Sequence, residues 1–510
     1  MIVNRAAAVL AVLALLAGCG GGGGGGGKAP TRHRVATSAP TPAVAENARP
    51  GTKDWKVRKA GAEHAIEGFA DRVSVLPGES FRLFVSTTAK GYTVSAFRMG
   101  WYGGAQARKV WASPRQAGQK QAGAKTTGAT HTITAPWQPS LTVSTRDWPE
   151  GSYLLRLDAD SGAQRFVPVT VRSAGTAGKV VILNGTTTWQ AYNMWGGRDL
   201  YQGPGGFDGR SRAVSFDRPY DGNGAVKFLA FEQPAIALAE KTGLPLAYET
   251  DNDLHHDPRL LDGARALVSL GHDEYWSTAM RDEATKARDA GMNIAFLGAN
   301  AVNRHIRFEA TSLGAERLVV CYKSADEDPI KDPAEKTQDW RLSPKPRPES
   351  ALIGIMYTCF PADGAWKVYR PDNWVFAGTG AREGEEFPGV IGPESDAVTR
   401  GGPTPRPIEV LAHSTVGCGT STTTSDATYY TAKSGAGVFA TGTMRWVCSM
   451  RGSACGHGVT GKAATFVSKV TENVLRAFAV GPAGRAHPAR DNLKKIKPAG
   501  LGAAQGADLD

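Results

Sequence analysis

Ala266-Leu-Val-Ser-Leu-Gly-His-Asp-Glu-Tyr-Trp276 decides how this chain is read, because a short apolar run breaks at Gly271 directly into His272, Asp273 and Glu274. Ser277 to Ala290 follows as a charged amphipathic helix ended by Gly291, and a second apolar run, Asn293-Ile-Ala-Phe-Leu297, finishes in Gly298-Ala299-Asn300. Strand, helix and strand in that order make a βαβ unit, and parallel strands carry ligand sites at their carboxyl ends. His272, Glu274 and Asn300 are therefore expected in one crevice. Many α/β hydrolases place a serine or cysteine nucleophile just after such a strand. Here an imidazole and a carboxylate stand there instead, which favours metal or general acid/base chemistry over a covalent mechanism.

The same alternation extends on both sides. A strand over 179–184, a loop rich in Thr, Gly and aromatics, a helix over 226–242 and a strand over 245–249 precede the central unit. A strand and a helix, Ala463 to Phe478, within 436–480 close the sheet. The α/β region thus spans 176–480, with an insertion around 321–435. Upstream, Phe81, Leu83 and Val85 alternate with polar residues, as do runs ending at Met99, Leu157 and Val171, with Pro77-Gly78, Lys90-Gly91 and Glu150-Gly151 as turn signals. Residues 61–175 read as an antiparallel β-sandwich, immunoglobulin-like in size and spacing. The fold class is accordingly α+β multidomain, a sandwich followed by an α/β domain.

The ends read differently. Arg5, an apolar segment over 6–16 and Leu16-Ala17-Gly18-Cys19 resemble a bacterial lipoprotein signal, which implies removal of residues 1–18 and lipidation of Cys19. The expected location is the bacterial cell envelope, lipid-anchored and extracytoplasmic. Residues 20–60, opening on eight glycines and continuing Pro/Thr/Ala-rich, are expected to form a tether outside the fold, and 481–510 a loose tail. The net charge of +11 over 510 residues is dispersed along the chain, which argues against a nucleic-acid footprint.

Without Cys19, five of the six cysteines remain, an odd number for an oxidising compartment. Cys321 with Cys359, flanking a polar insertion, and Cys448 with Cys455, closing a short loop, are the pairings adopted, although spacing alone does not fix connectivity. Cys418, in Gly417-Cys418-Gly419, lacks the helix a nucleophile elbow requires and reads as structural. The polar run Asp251, Asp253, His255, His256 and Asp257 lacks metal-site spacing and reads as a turn.

Glu67-Gly-Phe-Ala-Asp-Arg-Val-Ser-Val-Leu-Pro-Gly-Glu79, Phe97-Arg-Met-Gly-Trp-Tyr-Gly-Gly104, Thr188-Trp-Gln-Ala-Tyr-Asn193, Thr250-Asp-Asn-Asp-Leu-His255, Gly271-His-Asp-Glu-Tyr-Trp276 and Phe296-Leu-Gly-Ala-Asn300 together resemble the large (beta) subunit of N,N-dimethylformamidase and its relatives. The resemblance runs over residues 65–480. It implies an immunoglobulin-like domain packed on a domain like the glutamine-amidotransferase (flavodoxin-like) fold, and a mononuclear iron, Fe(III), held by two tyrosines and a glutamate. Carried over, the glutamate is Glu274, one tyrosine is Tyr192 and the other Tyr153. His272, Asn300 and Glu394 are the implied catalytic partners.

Phenolate and carboxylate are hard anionic donors suited to a hard cation. The activity implied is hydrolysis of amide or related C–N bonds, with a small amide or a cell-envelope molecule as substrate and a homo-oligomer as an open partner state. Two other classes stay open: a non-catalytic envelope protein binding glycan or peptidoglycan through an aromatic crevice, and a metal-free enzyme using paired carboxylates.

Overall fold

The computed structural model describes residues 41–496. Two sheets make the sandwich: Ile66–Ala70, Ser80–Thr87 and Leu141–Ser144 in one, and Ser74–Val75, Gln164–Val171, Gly151–Ala159, Gly91–Met99 and Ala107–Ala112 in the other. Period-two alternation explains the packing. Phe81, Leu83 and Val85 meet Val94, Leu155 and Val167 between the sheets. The opposite face of the second sheet is also buried: Phe97, Leu154 and Phe166 share a core with Val180, Ile182 and Tyr248 of the α/β region. This sheet is therefore a common wall, which is why Gly151–Ala159 is buried along nearly its whole length.

Nine strands form the main sheet: β1 (Val180–Asn184), β2 (Leu246–Thr250), β3 (Ala266–Gly271), β4 (Asn293–Gly298), β5 (Ala362–Lys367), β6 (Glu386–Ile391), β7 (Ile408–Cys418), β8 (Ser421–Thr431) and β9 (Gly437–Ala440). Their order is β2-β1-β3-β4-β9-β8-β7-β5-β6. The run from β2 to β9 is parallel and the remainder antiparallel. Such strands, covered on both faces, are continuously apolar rather than alternating. The chain passes from β1 outward to β2 and then returns to β3 on the other side of β1, so the direction of winding reverses between β1 and β3. That reversal is where doubly wound sheets open a crevice.

The overall class is α+β, strand-rich with few helices. Several expectations are corrected. Residues 41–60 do not all belong to a tether: Pro42–Asn47 is a helix capped by Thr41, Glu46 pairs with Arg108 at 2.6 Å, and Trp55 is buried. The low-complexity composition upstream hid these few anchoring side chains. The 226–242 helix divides into Val226–Phe231 and Gln233–Thr242, with Pro234 opening the second and Glu232 turned inward between them. The stretch expected as an insertion, around 321–435, contributes β5 to β8, which complete the main sheet. The start of the tail is not loose, because Leu493 and Ile496 are buried and Asn492 bonds to both backbone groups of Val410.

Cys359 is bonded to Cys418, not to Cys321. Ala362 of β5 pairs with Cys418 of β7, which carries Cys359 beside Cys418, whereas Cys321 lies in a separate apolar cluster with Ile306 and Val319. Cys448–Cys455 forms as expected, and Cys321 is a free buried thiol. No helix among the described residues is long and apolar enough to cross a membrane. Residues 1–40, where the leader, the lipidated Cys19 and the start of the tether were expected, lie outside the described residues, as do residues 497–510.

Candidate metal centre

Gly271 ends β3 at φ +53°, and a Cβ there would fall 2.4 Å from the carbonyl oxygen of Phe231. A side chain at this bend is excluded both by contact and by backbone conformation. The bend throws His272, Asp273 and Glu274 out of the strand over the carboxyl ends of β1 and β3. The Glu274 amide donates to Thr188 Oγ1 at 2.9 Å and its carbonyl accepts from the Arg304 amide at 2.9 Å, so the backbone carrying the carboxylate is fixed on both sides.

Around that carboxylate stand three phenols. Tyr192, which caps the helix Thr186–Ala191 following β1, donates to Glu274 Oε2 at 2.7 Å. Tyr201 lies 2.9 Å from Oε1 and 3.1 Å from Oε2. The two hydroxyls are 2.8 Å apart, and Tyr275 donates to Tyr201 at 2.7 Å. Glu274 and Tyr275 are fully buried, and the Tyr192 and Tyr201 rings stack at 4.6 Å.

His272 Nε2 approaches Glu274 Oε2 at 3.4 Å and Glu394 Oε2 at 3.3 Å. These are charge-pairing distances without hydrogen-bond alignment: both ring nitrogens and Glu394 Oε2 are buried and lack an aligned partner. Burial pulls the imidazole down, but Glu394 and Glu274 outweigh it and raise His272 to about 9. The Glu274 carboxyl responds in the opposite sense: burial pushes it up, yet His272, Arg304 and Lys323 overcome this and hold it near 2. Tyr192 and Tyr201 are both pushed well above the usual phenol value, first by burial and then by the Glu274 charge.

Asn300, at φ +55° beyond β4, donates its amide to Asp396 at 2.8 Å, and its side-chain oxygen is buried without a partner. The structure thus brings together Tyr192, His272, Glu274 and Glu394, and sets Asn300 at the neighbouring strand end. Tyr153 does not join them. Its hydroxyl donates to the Pro149 carbonyl at 2.5 Å and its ring stacks on Trp148 at 5.1 Å inside the sandwich, the packing role open to a strand tyrosine. The second phenol beside Glu274 is Tyr201, on an irregular loop nine residues past Tyr192, where no periodicity marks it.

Cations also surround the crevice. Arg304 Nε is 3.3 Å from Glu274 Oε1, the Lys323 ammonium sits 3.0 Å from the Tyr201 ring centroid, and that of Lys227 4.4 Å from the Tyr192 centroid. The polar run at 251–256 forms a short helix capped by Thr250, whose hydroxyl accepts from the Asp253 amide while the Asp253 carboxylate accepts from the Thr250 amide, and Asp251 accepts from the Thr187 hydroxyl. Among the described residues no group of three or more His, Cys, Asp or Glu side chains has metal-holding geometry. A centre at Glu274 would depend on its phenols.

A family model described as N,N-dimethylformamidase beta subunit-like, C-terminal, matches residues 93–459. No curated protein matches the chain. A Paenibacillus sp. cycloisomaltooligosaccharide glucanotransferase, solved with cycloisomaltoheptaose, is similar over 25% of this chain and 17% of its own, at 12% identity and a TM-score of 0.14, too slight a likeness to carry an argument. The family match runs from the second sheet of the sandwich past β9, through every residue that meets at Glu274, and the chain belongs to the N,N-dimethylformamidase beta subunit-like family.

Proposed function

We propose that this protein is an iron-dependent hydrolase of amide or related C–N bonds other than peptide bonds. The observation that carries the reading is the crowding of oxygen at Glu274. Five O···O separations of 2.7–3.1 Å join Tyr192, Tyr201, Tyr275 and Glu274, yet the three phenols bring only three protons to them. Adjacent oxygen ligands of an octahedral ion with bonds of ~2.0–2.1 Å stand about 2.9 Å apart. Tyr192, Tyr201 and Glu274 therefore fit as the residues that would hold a ferric ion, and the anionic, all-oxygen donor set suits a hard cation. Their raised phenol values are what such a cation would reverse.

A ferric ion bound there would supply Lewis acidity toward the amide carbonyl oxygen. The protein's own groups do the rest. His272, charged between Glu274 and Glu394, holds a proton that it can pass to the departing amine, and Glu394 can take one from an attacking water. Asn300 has a side-chain oxygen not committed to the fold, which leaves its carboxamide able to turn toward a developing oxyanion. Burial of Glu274 and His272 keeps bulk water from competing.

The finer readings of the fold, an immunoglobulin-like sandwich and an amidotransferase-like main domain, form part of this proposal. The two facing sheets and the reversal between β1 and β3 support them. So does the extracytoplasmic, lipid-anchored location, supported by the sequence around Cys19 and by the two disulfides.

The test is metal analysis and a visible spectrum of the purified protein, followed by an amide-hydrolysis screen. Near-stoichiometric iron with a tyrosinate charge-transfer band, both lost in Tyr201→Phe, is expected. Folded protein that stays iron-free after reconstitution would end the iron reading.

A further inference from the structure

Away from Glu274, the helix Thr278–Asp289 turns one face, Arg281, Thr285 and Arg288, toward the segment Pro346-Arg347-Pro348. A cavity of about 280 Å³ lies between them, and a second of about 290 Å³ lies on the other side of Arg347, walled by Trp340, Lys336, Lys345 and Asp339. Pro346 and Arg347 are in both walls.

Among the residues lining these cavities, the buried side-chain atom left without a partner is a donor, Trp340 Nε1, and the buried Arg281 cation has no carboxylate bonded to it. Arg281 is 2% exposed and its guanidinium meets only the carbonyls of Arg347 and Pro348, the latter at 2.8 Å. Burial and the nearby Arg347 lower it to about 10. The acids in reach are already taken: Asp282 by Arg347 at 2.6 Å, Asp289 by Arg288 at 2.8 Å, Glu349 by Arg341 and Asp339 by Arg304. Trp340 lies against Arg281, Arg347 and His305, with centroid distances of 4.7, 5.1 and 4.0 Å, and its buried Nε1 has no acceptor. Lys345 extends into solvent at the rim. A buried guanidinium without a carboxylate is costly unless something anionic completes it, and forked guanidinium donors match oxyanions in shape.

We propose that these two cavities form one binding site for a ligand bearing at least two oxyanion groups, one on each side of Arg347. Arg281 and Arg347 supply the guanidinium donors, Trp340 its indole N–H, and Lys345 the outer charge. The site is separate from the proposed iron centre and does not depend on its chemistry. Phosphate and carboxylate ligands share the required geometry, so the probes are tripolyphosphate and citrate, with inorganic phosphate as the single-anion control.

In calorimetric titrations of the whole protein, one of the two polyanions is expected to bind about tenfold tighter than phosphate. The tighter of the two identifies the ligand chemistry. Lys345→Glu, at an exposed position that leaves folding intact, should weaken that binding by about tenfold, and Arg347→Glu by at least as much. Absence of saturable binding of either polyanion to the wild-type protein, or undiminished binding in both variants, would overturn the proposal.

Discussion

Tyr153 in the sandwich and Tyr201 in the crevice are both phenols pushed upward by burial, yet they have opposite kinds of neighbours. Tyr153 gives its proton to one backbone carbonyl and stacks on Trp148, so the fold alone satisfies it. Tyr201 meets two hydroxyls and both oxygens of a carboxylate, four oxygens around a group that brings one proton. Burial thus marks both residues, and only the count of donors against acceptors separates a packing tyrosine from a candidate ligand. The same contrast holds for two carboxyls near β1. Glu274 sits among cations and is held near 2, whereas Glu249 of β2 has neither oxygen bonded and is raised by burial to about 9.

The largest test of the contrast removes a donor from each region. Tyr201→Phe and Glu274→Ala should each abolish bound iron and lower kcat/KM on an amide substrate by on the order of a thousandfold. Tyr153→Phe should keep both. Equal iron loss in Tyr153→Phe and Tyr201→Phe, with both variants folded, would erase the distinction. Next in size are His272→Gln and Glu394→Gln, expected to cost roughly 10²–10⁴-fold in kcat through lost proton transfer, with iron retained. Parallel loss of iron would move these residues into the metal-holding set.

The parallel half of the main sheet was legible because apolar runs end abruptly at Asn184, Gly271 and Gly298, the two glycines leading into polar residues, and that pattern comes from strand ends at a crevice. Glu274, His272 and Tyr192 followed from it and from the family motifs. Tyr201 was not legible, since its loop has no period and its role arises from Glu274, 73 residues away in sequence. The β5 to β8 strands were hidden for a related reason. They pair antiparallel inside what composition presents as a polar insertion, and Cys359 finds Cys418 only through that pairing. Likewise the 41–60 segment is held by a few side chains, Glu46, Asn47 and Trp55, against a background that otherwise looks like linker.

Glu249 offers a pH test of the carboxyl comparison. Its folded value lies above the ordinary 4.5, so the folded protein holds a proton there that the unfolded chain releases. Its contribution to stability is complete below about pH 4.5 and is lost as pH rises toward 9, up to a few kcal/mol over that interval. Denaturant unfolding of wild type should therefore show falling stability from about pH 5 to about pH 9, and Glu249→Gln should flatten that slope. Equal slopes in the two proteins would show that Glu249 finds partners in the native state and is not held protonated.

The smallest effect isolates what the fold asks of Tyr153. Its ring fills the space beside Trp148, and phenylalanine keeps that contact while deleting the hydroxyl. The Pro149 carbonyl then loses the Tyr153 donor at a part-buried position, a cost of about 1–2 kcal/mol for an acceptor left without a proton. Tyr153→Phe should lower the denaturation midpoint accordingly while leaving the visible spectrum unchanged. Tyr201→Phe should do the converse, because it relieves four of the five crowded oxygen contacts at Glu274 while Tyr192 still donates to the carboxylate, so the apo fold loses little or is stabilised. A Tyr201→Phe protein as destabilised as Tyr153→Phe, measured without iron, would mean that the crevice phenols are structural after all, and that the crowding at Glu274 is settled by the fold and not by a ligand.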